Sequence, residues 1–316
     1  MLSVCFKGRI GMRIGCLHRS ISAPPLVHVQ TPSPGETHLW YILPGEVKSA
    51  SLLDQYFQHL SPCEKENISS MGTEQLKKSA LLARTLVRTT IARYQINSEI
   101  SPSSLKFRKN IYGKPEVDWQ HGDNRNQSAL HFNLSHTSSL IACGVTSDSP
   151  IGIDVEEIQR RLTRDILSFA CRYFTPDEVE YLSAISDSEV QKRELLKLWT
   201  IKESYVKALG RGFSGAPFKT FNVRYKTSQK GGCGADDHFD SVSEILVEPV
   251  DPGDTNLPRN WQFKLLELAG SHYAAICTET NTVEGGSRLR KLKVWKTIPF
   301  VEDECVSGTN AAVEIV

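Results

Sequence analysis

Apolar positions recur at helical spacing through "MGTEQLKKSALLARTLVRTTIARY", residues 71–94, with Ala80, Ala83, Val87 and Tyr94 near one stripe and Lys77, Arg84 and Arg88 on another. That period predicts a helix, its basic stripe a solvated face. Beyond it the pattern shortens to alternation in "LHFNLSH", "SLIACGVTS" and "IGIDVEEI", separated by turn-forming segments. These runs predict the strands of an antiparallel or mixed meander. "FTPDEVEYL" then offers Thr175 as an N-cap, Pro176 at the first helical position and Glu178 three residues after the cap, the reciprocal arrangement that starts a helix. A longer helix is predicted from about Ser188 to Leu209, ended by Gly210 and Gly212. Strand-like runs return at "FKTFNVRYK", "SEILVEPV", "NWQFKLLELA" and "SHYAAICTE", and the Gly-rich polar stretch from Thr227 to Asp240 predicts a mobile loop.

Helix followed by strands thus occurs twice. The order predicts an α+β fold of two similar halves side by side, residues 36–150 and 151–284, joined near the Asp154 strand. A site between such halves can draw groups from both. The flanks read differently. Lys7, Arg9, Arg13 and Arg19 all precede the first acid, Glu36, and a helix would line up Phe6, Ile10, Ile14 and Leu17 beside Arg9 and Arg13. Residues 1–35 therefore read as a mitochondrial transit peptide, the alternative being a disordered basic extension without an address. The stretch 285–316 mixes Arg288, Arg290, Lys291 and Lys293 with a closing acidic run and reads as a peripheral tail.

Composition narrows the class without choosing a function. The chain has 316 residues, 40% hydrophobic and 23% charged, enough for one or two cores. Its 37 Lys plus Arg against 36 Asp plus Glu leave a net charge of +1, so the overall charge gives no case for nucleic acid or membrane as partner. Any anion must be met by a local patch. The eight cysteines show neither a CxxC pair nor a His-linked repeat, which argues for reduced thiols over zinc or a disulfide framework. No apolar run approaches the length of a membrane-spanning helix.

Candidate chemistry starts at "GIDVEEI", where Asp154 and Glu156 sit two apart in a strand-like run and so share a face. Two carboxylates side by side repel unless an arginine, solvent or a divalent cation lies between them. In "WTIKESYVKALGRG" Glu203 and Lys207 are four apart on one helix face; taken alone they are a surface ion pair of about 0.3 kcal/mol. Yet Leu196, Trp199, Tyr205, Val206 and Leu209 make much of that helix apolar. Asp154, Glu156 and Glu203 together, without sulfur or imidazole, suit a hard cation such as Mg²⁺ and a phosphorylated substrate. Ser135 and His136 in "FNLSHT" stand at a strand-to-turn boundary, where a hydroxyl and an imidazole can donate to phosphate. The plain reading is an ordinary turn. Lys114 in "YGKPEV" projects from a fixed turn. No Gly-x-Ser-x-Gly elbow surrounds Ser135, which argues against a serine hydrolase.

The stretches "YGKPEV", "FNLSHT", "GIDVEEI" and "WTIKESYVKALGRG", in this order and at these separations, resemble the Sfp-type 4'-phosphopantetheinyl transferases of the holo-acyl-carrier-protein synthase superfamily, over roughly residues 40–280. The resemblance implies a monomer of two pseudo-twofold-related α+β halves. It implies transfer of the 4'-phosphopantetheine arm of coenzyme A to a serine of an apo acyl or peptidyl carrier protein, releasing 3',5'-ADP. By the same resemblance Asp154, Glu156 and Glu203 are the Mg²⁺ ligands, and Lys207 contacts the pyrophosphate. Ser135, His136 and Lys114 contact coenzyme A phosphates. Basic residues of the early helix fall among Lys77, Lys78, Arg84 and Arg88, with Lys78 and Arg84 assigned to coenzyme A.

In this scheme Glu203 takes the proton of the incoming serine and Lys207 balances charge on the leaving group. The nucleophile belongs to the acidic carrier protein, for which Arg160, Arg161, Arg164 and Arg172 offer a docking surface; the alternative is a solvated basic loop and helix. The basic N-terminus and the 227–240 insert have no place in the family pattern, which leaves compartment and regulation open. Two other readings use the same residues: a Mg²⁺-dependent nucleotide pyrophosphate hydrolase, and a non-catalytic scaffold that keeps the fold.

Overall fold

A computed structural model describes residues 26–95, 101–118, 130–162, 164–228, 241–251, 253, 260–279 and 291–316. The first half runs β1 (Glu36–Ile42), α1 (Ala50–Gln58), α2 (Pro62–Ser69), α3 (Glu74–Arg93), β2 (Phe107–Lys109), β3 (Pro115–Val117), β4 (His131–His136) and β5 (Ile141–Thr146). The second begins with β6 (Ile151–Glu157) and continues through α4 (Ile166–Tyr173), α5 (Pro176–Ser183), α6 (Ser188–Leu209) and α7 (Gly212–Gly215). Strands β7 (Phe221–Ser228), β8 (Ser241–Pro249), β9 (Trp261–Leu268) and β10 (His272–Glu279) follow, then β11 (Lys291–Ile298), β12 (Glu302–Cys305) and β13 (Ala312–Glu314).

Among the described residues the strands make one sheet in the order β12-β11-β1-β5-β4 and another in the order β13-β9-β10-β6, beside the ribbons β2-β3 and β7-β8. The alternation of β1 explains the layering. Leu39 and Tyr41 face the second sheet, where they meet Ile151, Ile153 and Val155 of β6 together with Leu266, Leu268, Ala274 and Ile276. Trp40 and Ile42 face the other way, onto Leu82, Leu86 and Ile91 of α3. Correspondingly α6 lays Leu195, Leu198, Ile201 and Tyr205 over Phe263, Leu265, Tyr273 and Ala275 of the second sheet. The result is a helix–sheet–sheet–helix stack of two α+β halves, each buried Leu or Ile contributing roughly 1.5–3 kcal/mol.

The halves share a device that the order of elements alone does not reveal. Ser61 and Thr175 N-cap α2 and α5, each followed by proline, and each closes a capping box with a glutamate, Glu64 and Glu178. That glutamate is met by a buried cation from the long helix, Arg88 on Glu64 at 2.7 Å and Lys202 on Glu178 at 2.8 Å. Each cation also donates to two carbonyls of the segment after its helix: Arg88 to Pro102 and Leu105, Lys202 to Phe218 and Phe221. Each lies over a phenylalanine ring as well, Phe107 at 5.2 Å and Phe221 at 4.2 Å. A buried cation is tolerated only with such full satisfaction.

Three expectations change. Arg88 is not on a solvated stripe: it is 3% exposed and locked into this device. Of the stretch 285–316 expected to be a peripheral tail, the described residues 291–316 are integral to the fold, because β11 pairs in parallel with β1, putting Trp295 on Trp40 with rings 4.6 Å apart. Asp303 takes the buried Arg93 at 2.7 Å, and β13 extends the second sheet. The N-terminal boundary also moves. Residues 26–35 are tied to the first half through Val29 N–H to the Arg93 carbonyl and Gly35 N–H to the Asp148 carboxylate. The leader expected over 1–35 therefore lies, for residues 1–25, outside the described residues. Of the loop expected at 227–240, Thr227 and Ser228 belong to β7 and the remainder lies outside the described residues.

Candidate active site

Strands β4 and β6 are edges of different sheets, and side chains rather than a ladder join them. Asn133 Oδ1 accepts from the Ile153 N–H at 2.9 Å, and Ser135 Oγ accepts from the Val155 N–H at 3.3 Å. Two edge donors of β6 are thereby satisfied across the seam. On the face of β6 that carries Gly152, helix α6 lies so close that a Cβ on Gly152 would stand 2.0 Å from the Ser204 carbonyl oxygen and 2.2 Å from the Ala208 nitrogen. Only glycine admits that approach. Because side chains alternate along a strand, the face that carries Gly152 also carries Asp154 and Glu156. The helix pressed on it carries Glu203 and Lys207, one turn apart.

These residues line a cleft of about 600 Å³ together with Ser135, His136, Thr137, Ser138, Glu157, Arg160 and Trp199. Lys207 reaches across to Asp154 at 2.6 Å and donates to Ser135 Oγ at 3.0 Å, while Ser135 donates to Asp154 Oδ1 at 2.9 Å. Asp154 is 5% exposed, and its other oxygen is buried without a hydrogen-bond partner. Burial pushes the Asp154 carboxyl up, against the pull of Lys207. Burial and then Asp154 raise Glu156, against Arg160. Glu203 is pushed up to about 7, by burial first and then by Asp154. The three acids thus destabilise one another's charged forms, the condition in which a cation or a proton is wanted.

Among the described residues no group of three or more His, Cys, Asp or Glu side chains is gathered closely enough to hold a metal ion. Lys207 draws Asp154, and Arg160 draws Glu156 at 2.6 Å. The donor set nevertheless suits a hard cation: carboxylates alone, mutually repelling, with one buried oxygen left over.

The other candidates lie as follows. His136 ends β4 on the cleft wall, where partial burial and then Lys207 hold its imidazole below the usual range. Lys114 does not line the cleft. Its ammonium donates to the carbonyls of Ile151 and Lys207, both at 2.9 Å, so it caps the end of α6 and ties it to β6. Lys78 and Arg84 stand half-buried on α3 outside the cleft lining, with Arg84 donating to the Ala80 carbonyl. Arg160 lines the cleft beside Trp199, whereas Arg161 and Arg164 are exposed beyond it. Sequence reasoning missed Asn133 and Gly152, which act through contacts that no spacing predicts. It also missed Glu157 and Thr137.

Two family models cover most of the described core. That of the 4'-phosphopantetheinyl transferase superfamily matches residues 150–277, and a 4'-phosphopantetheinyl transferase N-terminal model matches residues 48–147. The 4'-phosphopantetheinyl transferase HetI of a Nostoc species is 33% identical over 179 residues, 57% of this chain and 70% of that protein. The 4'-phosphopantetheinyl transferase Sfp of Bacillus subtilis is 32% identical over 202 residues, 63% of this chain and 81% of its own length. Mouse L-aminoadipate-semialdehyde dehydrogenase-phosphopantetheinyl transferase is 26% identical over 221 residues, 69% of this chain and 66% of that protein. The two matches meet in the connection from β5 to β6, so that the cleft draws its lining from both of them, and the chain belongs to the 4'-phosphopantetheinyl transferase superfamily.

Proposed function

We propose that this cleft transfers the 4'-phosphopantetheine arm of coenzyme A to a serine of an apo acyl carrier protein, in the manner of a holo-acyl-carrier-protein synthase. The observation that carries the reading is the juxtaposition of Asp154, Glu156 and Glu203 with Lys207 and Ser135 on the seam between the two family-matched halves. Asp154, Glu156 and Glu203 would hold magnesium, which would supply Lewis-acid stabilisation of charge on the phosphorylated substrate. Glu203, with a carboxyl near 7, is suited to accept the serine proton at neutral pH. The serine oxygen attacks the phosphorus that bears the pantetheine arm, and the bond to the leaving 3',5'-ADP breaks. Lys207 balances the charge on the departing phosphate. Ser135 and His136 steady the phosphates from the β4 side. Intact-mass analysis of apo acyl carrier protein after incubation with enzyme, coenzyme A and magnesium tests the whole. A gain of one phosphopantetheine is expected only with acceptor present, and 3',5'-ADP released without acceptor would favour hydrolysis instead.

The exposed Arg161 and Arg164 are proposed to dock the acidic carrier. Because Arg160 is engaged with Glu156, the clean test leaves it alone. Changing Arg161 and Arg164 to Glu should raise the carrier KM about fivefold and flatten its salt dependence, with the coenzyme A KM unmoved. An unchanged carrier KM removes this segment from the interface. The enzyme is proposed to act as a monomer. Its basic N-terminal residues are proposed to direct it to mitochondria, on the strength of their charge pattern. A fluorescent fusion of the leader that stays cytosolic would refute that address.

A further inference from the structure

The geometry points to His272 as a positioning residue that braces, from the second half of the chain, the turn forming one wall of the cleft. This rests on the reading that the turn following His136 meets coenzyme A. Residues 137–140 connect β4 to β5, and Thr137 folds them tightly, its Oγ1 accepting from the N–H groups of Leu140 at 3.0 Å and Ser139 at 3.2 Å. Thr137 and Ser138 line the cleft, as does Glu157 from the other side of the seam. Since no ladder joins β4 to β6, this turn needs another anchor.

His272 provides it. It opens β10 directly opposite Glu157 in the strand register, is 2% exposed, and belongs to neither the family motifs nor the carboxylate set. Its Nε2 lies 2.9 Å from Ser139 Oγ and 3.1 Å from Thr137 Oγ1, and its Nδ1 lies 2.9 Å from Ser271 Oγ. Ser139 Oγ also donates to Glu157 Oε1, which accepts from Ser138 Oγ at 2.9 Å. The carboxylate can only accept, so it claims the single proton of Ser139, whose lone pairs then face the imidazole. That arrangement puts the imidazole proton on Nε2 and leaves Nδ1 to accept from Ser271. The chain of donation runs from Ser271 through His272 and Ser139 to Glu157. It closes across the two halves, with the turn clamped in between.

A residue that merely satisfies itself in the core would affect stability and turnover without regard to substrate. A brace for the coenzyme A wall should affect coenzyme A alone. Full-length His272→Leu, His272→Gln, Ser139→Ala and His136→Ala are compared by calorimetric titration with coenzyme A and by steady-state transfer to apo acyl carrier protein. His272→Leu and Ser139→Ala are expected to weaken coenzyme A binding and raise its KM about tenfold, with kcat within about twofold and the carrier KM unchanged. His272→Gln keeps an N–H near the Nε2 position and should recover most of the loss. Ser139 is exposed, so its variant reports even if His272→Leu does not fold. The proposal is overturned if Ser139→Ala and folded His272→Leu bind coenzyme A as the parent does while His136→Ala does not. It is equally overturned if only kcat or stability falls. If His136→Ala also binds normally, the reading of the turn as a coenzyme A wall fails with it; a loss confined to His272→Leu and Ser139→Ala keeps the brace and moves the phosphate contact elsewhere on the turn.

Discussion

Asp154→Asn is expected to leave a folded protein that has lost at least about a hundredfold in turnover, the scale of removing one preorganised charge from a transition-state site. Asparagine keeps the shape and the oxygen that accepts from Ser135 and Lys207. What disappears is one of three mutually repelling charges. Burial already raises the Asp154 carboxyl, so neutralising it should change the stability of the metal-free protein by no more than about 1 kcal/mol, in either direction. Stability and activity should therefore separate.

The pH dependence makes the same point with a definite sign. Glu203 has a folded-state carboxyl at about 7, above its ordinary value of 4.5. Its favourable contribution is complete below the ordinary carboxylate range and is lost as pH rises towards 7, because the carboxylate is buried beside Asp154. Asp154→Asn removes one raising charge, so the fall in Tm across that window should be shallower. The proposed magnesium would have to displace protons from the same group, so its stabilising effect on the parent protein should grow from about pH 5.5 to about pH 8, and should be much reduced in Asp154→Asn. Full turnover of Asp154→Asn at ordinary magnesium, or a parent protein whose Tm ignores magnesium at pH 8, would overturn the metal-site reading.

The legible parts of the fold were those encoded locally. The Thr175 capping box, the αL cap at Gly210 that ends α6 and the alternation that puts Asp154 and Glu156 on one face all follow from spacing. Strand β11 is masked by its charge: in "KLKVWKTI" Lys291 and Lys293 alternate with Leu292 and Val294, yet beside Arg288 and Arg290 they read as a basic tail. Arg88 was missed because periodicity cannot distinguish a solvated arginine from one matched to a buried glutamate. The repeated capping sequences "SPCE" and "TPDE", each with a cation at the same distance along the chain, were the available signal. Lys114 sits where its motif suggests, in a rigid turn at Gly113, yet its ammonium is taken by the carbonyls of Lys207 at the end of α6 and of Ile151 on β6. Which of two nearby acceptors a lysine finds depends on tertiary placement, which the motif does not contain.

Gly152→Ala should be among the most damaging single changes available to this chain, although it adds one methyl group and removes no functional atom. The new Cβ would sit 2.0 Å from the Ser204 carbonyl oxygen and 2.7 Å from the Ala208 Cα. These are backbone atoms of a helix and cannot rotate away. Either α6 lifts off β6 or β6 bends, at a cost of about 3 kcal/mol or more. Any survivor has Glu203 and Lys207 displaced from Asp154, and a shift of about 1 Å in such a constellation costs on the order of a hundredfold in rate. Gly144→Ala is the matched control. Its Cβ would meet the Ile153 Cγ2 methyl at 2.7 Å and the Ile151 Cδ1 chain end at 2.8 Å, side-chain atoms that shift at less cost than helix backbone, on the face of β6 turned away from the acids. Thermal denaturation and coenzyme A-dependent transfer should therefore rank the parent first, Gly144→Ala second and Gly152→Ala last. If Gly152→Ala melts with or above Gly144→Ala and keeps its turnover, the close seat of α6 on β6 is not what sets the acids against the lysine.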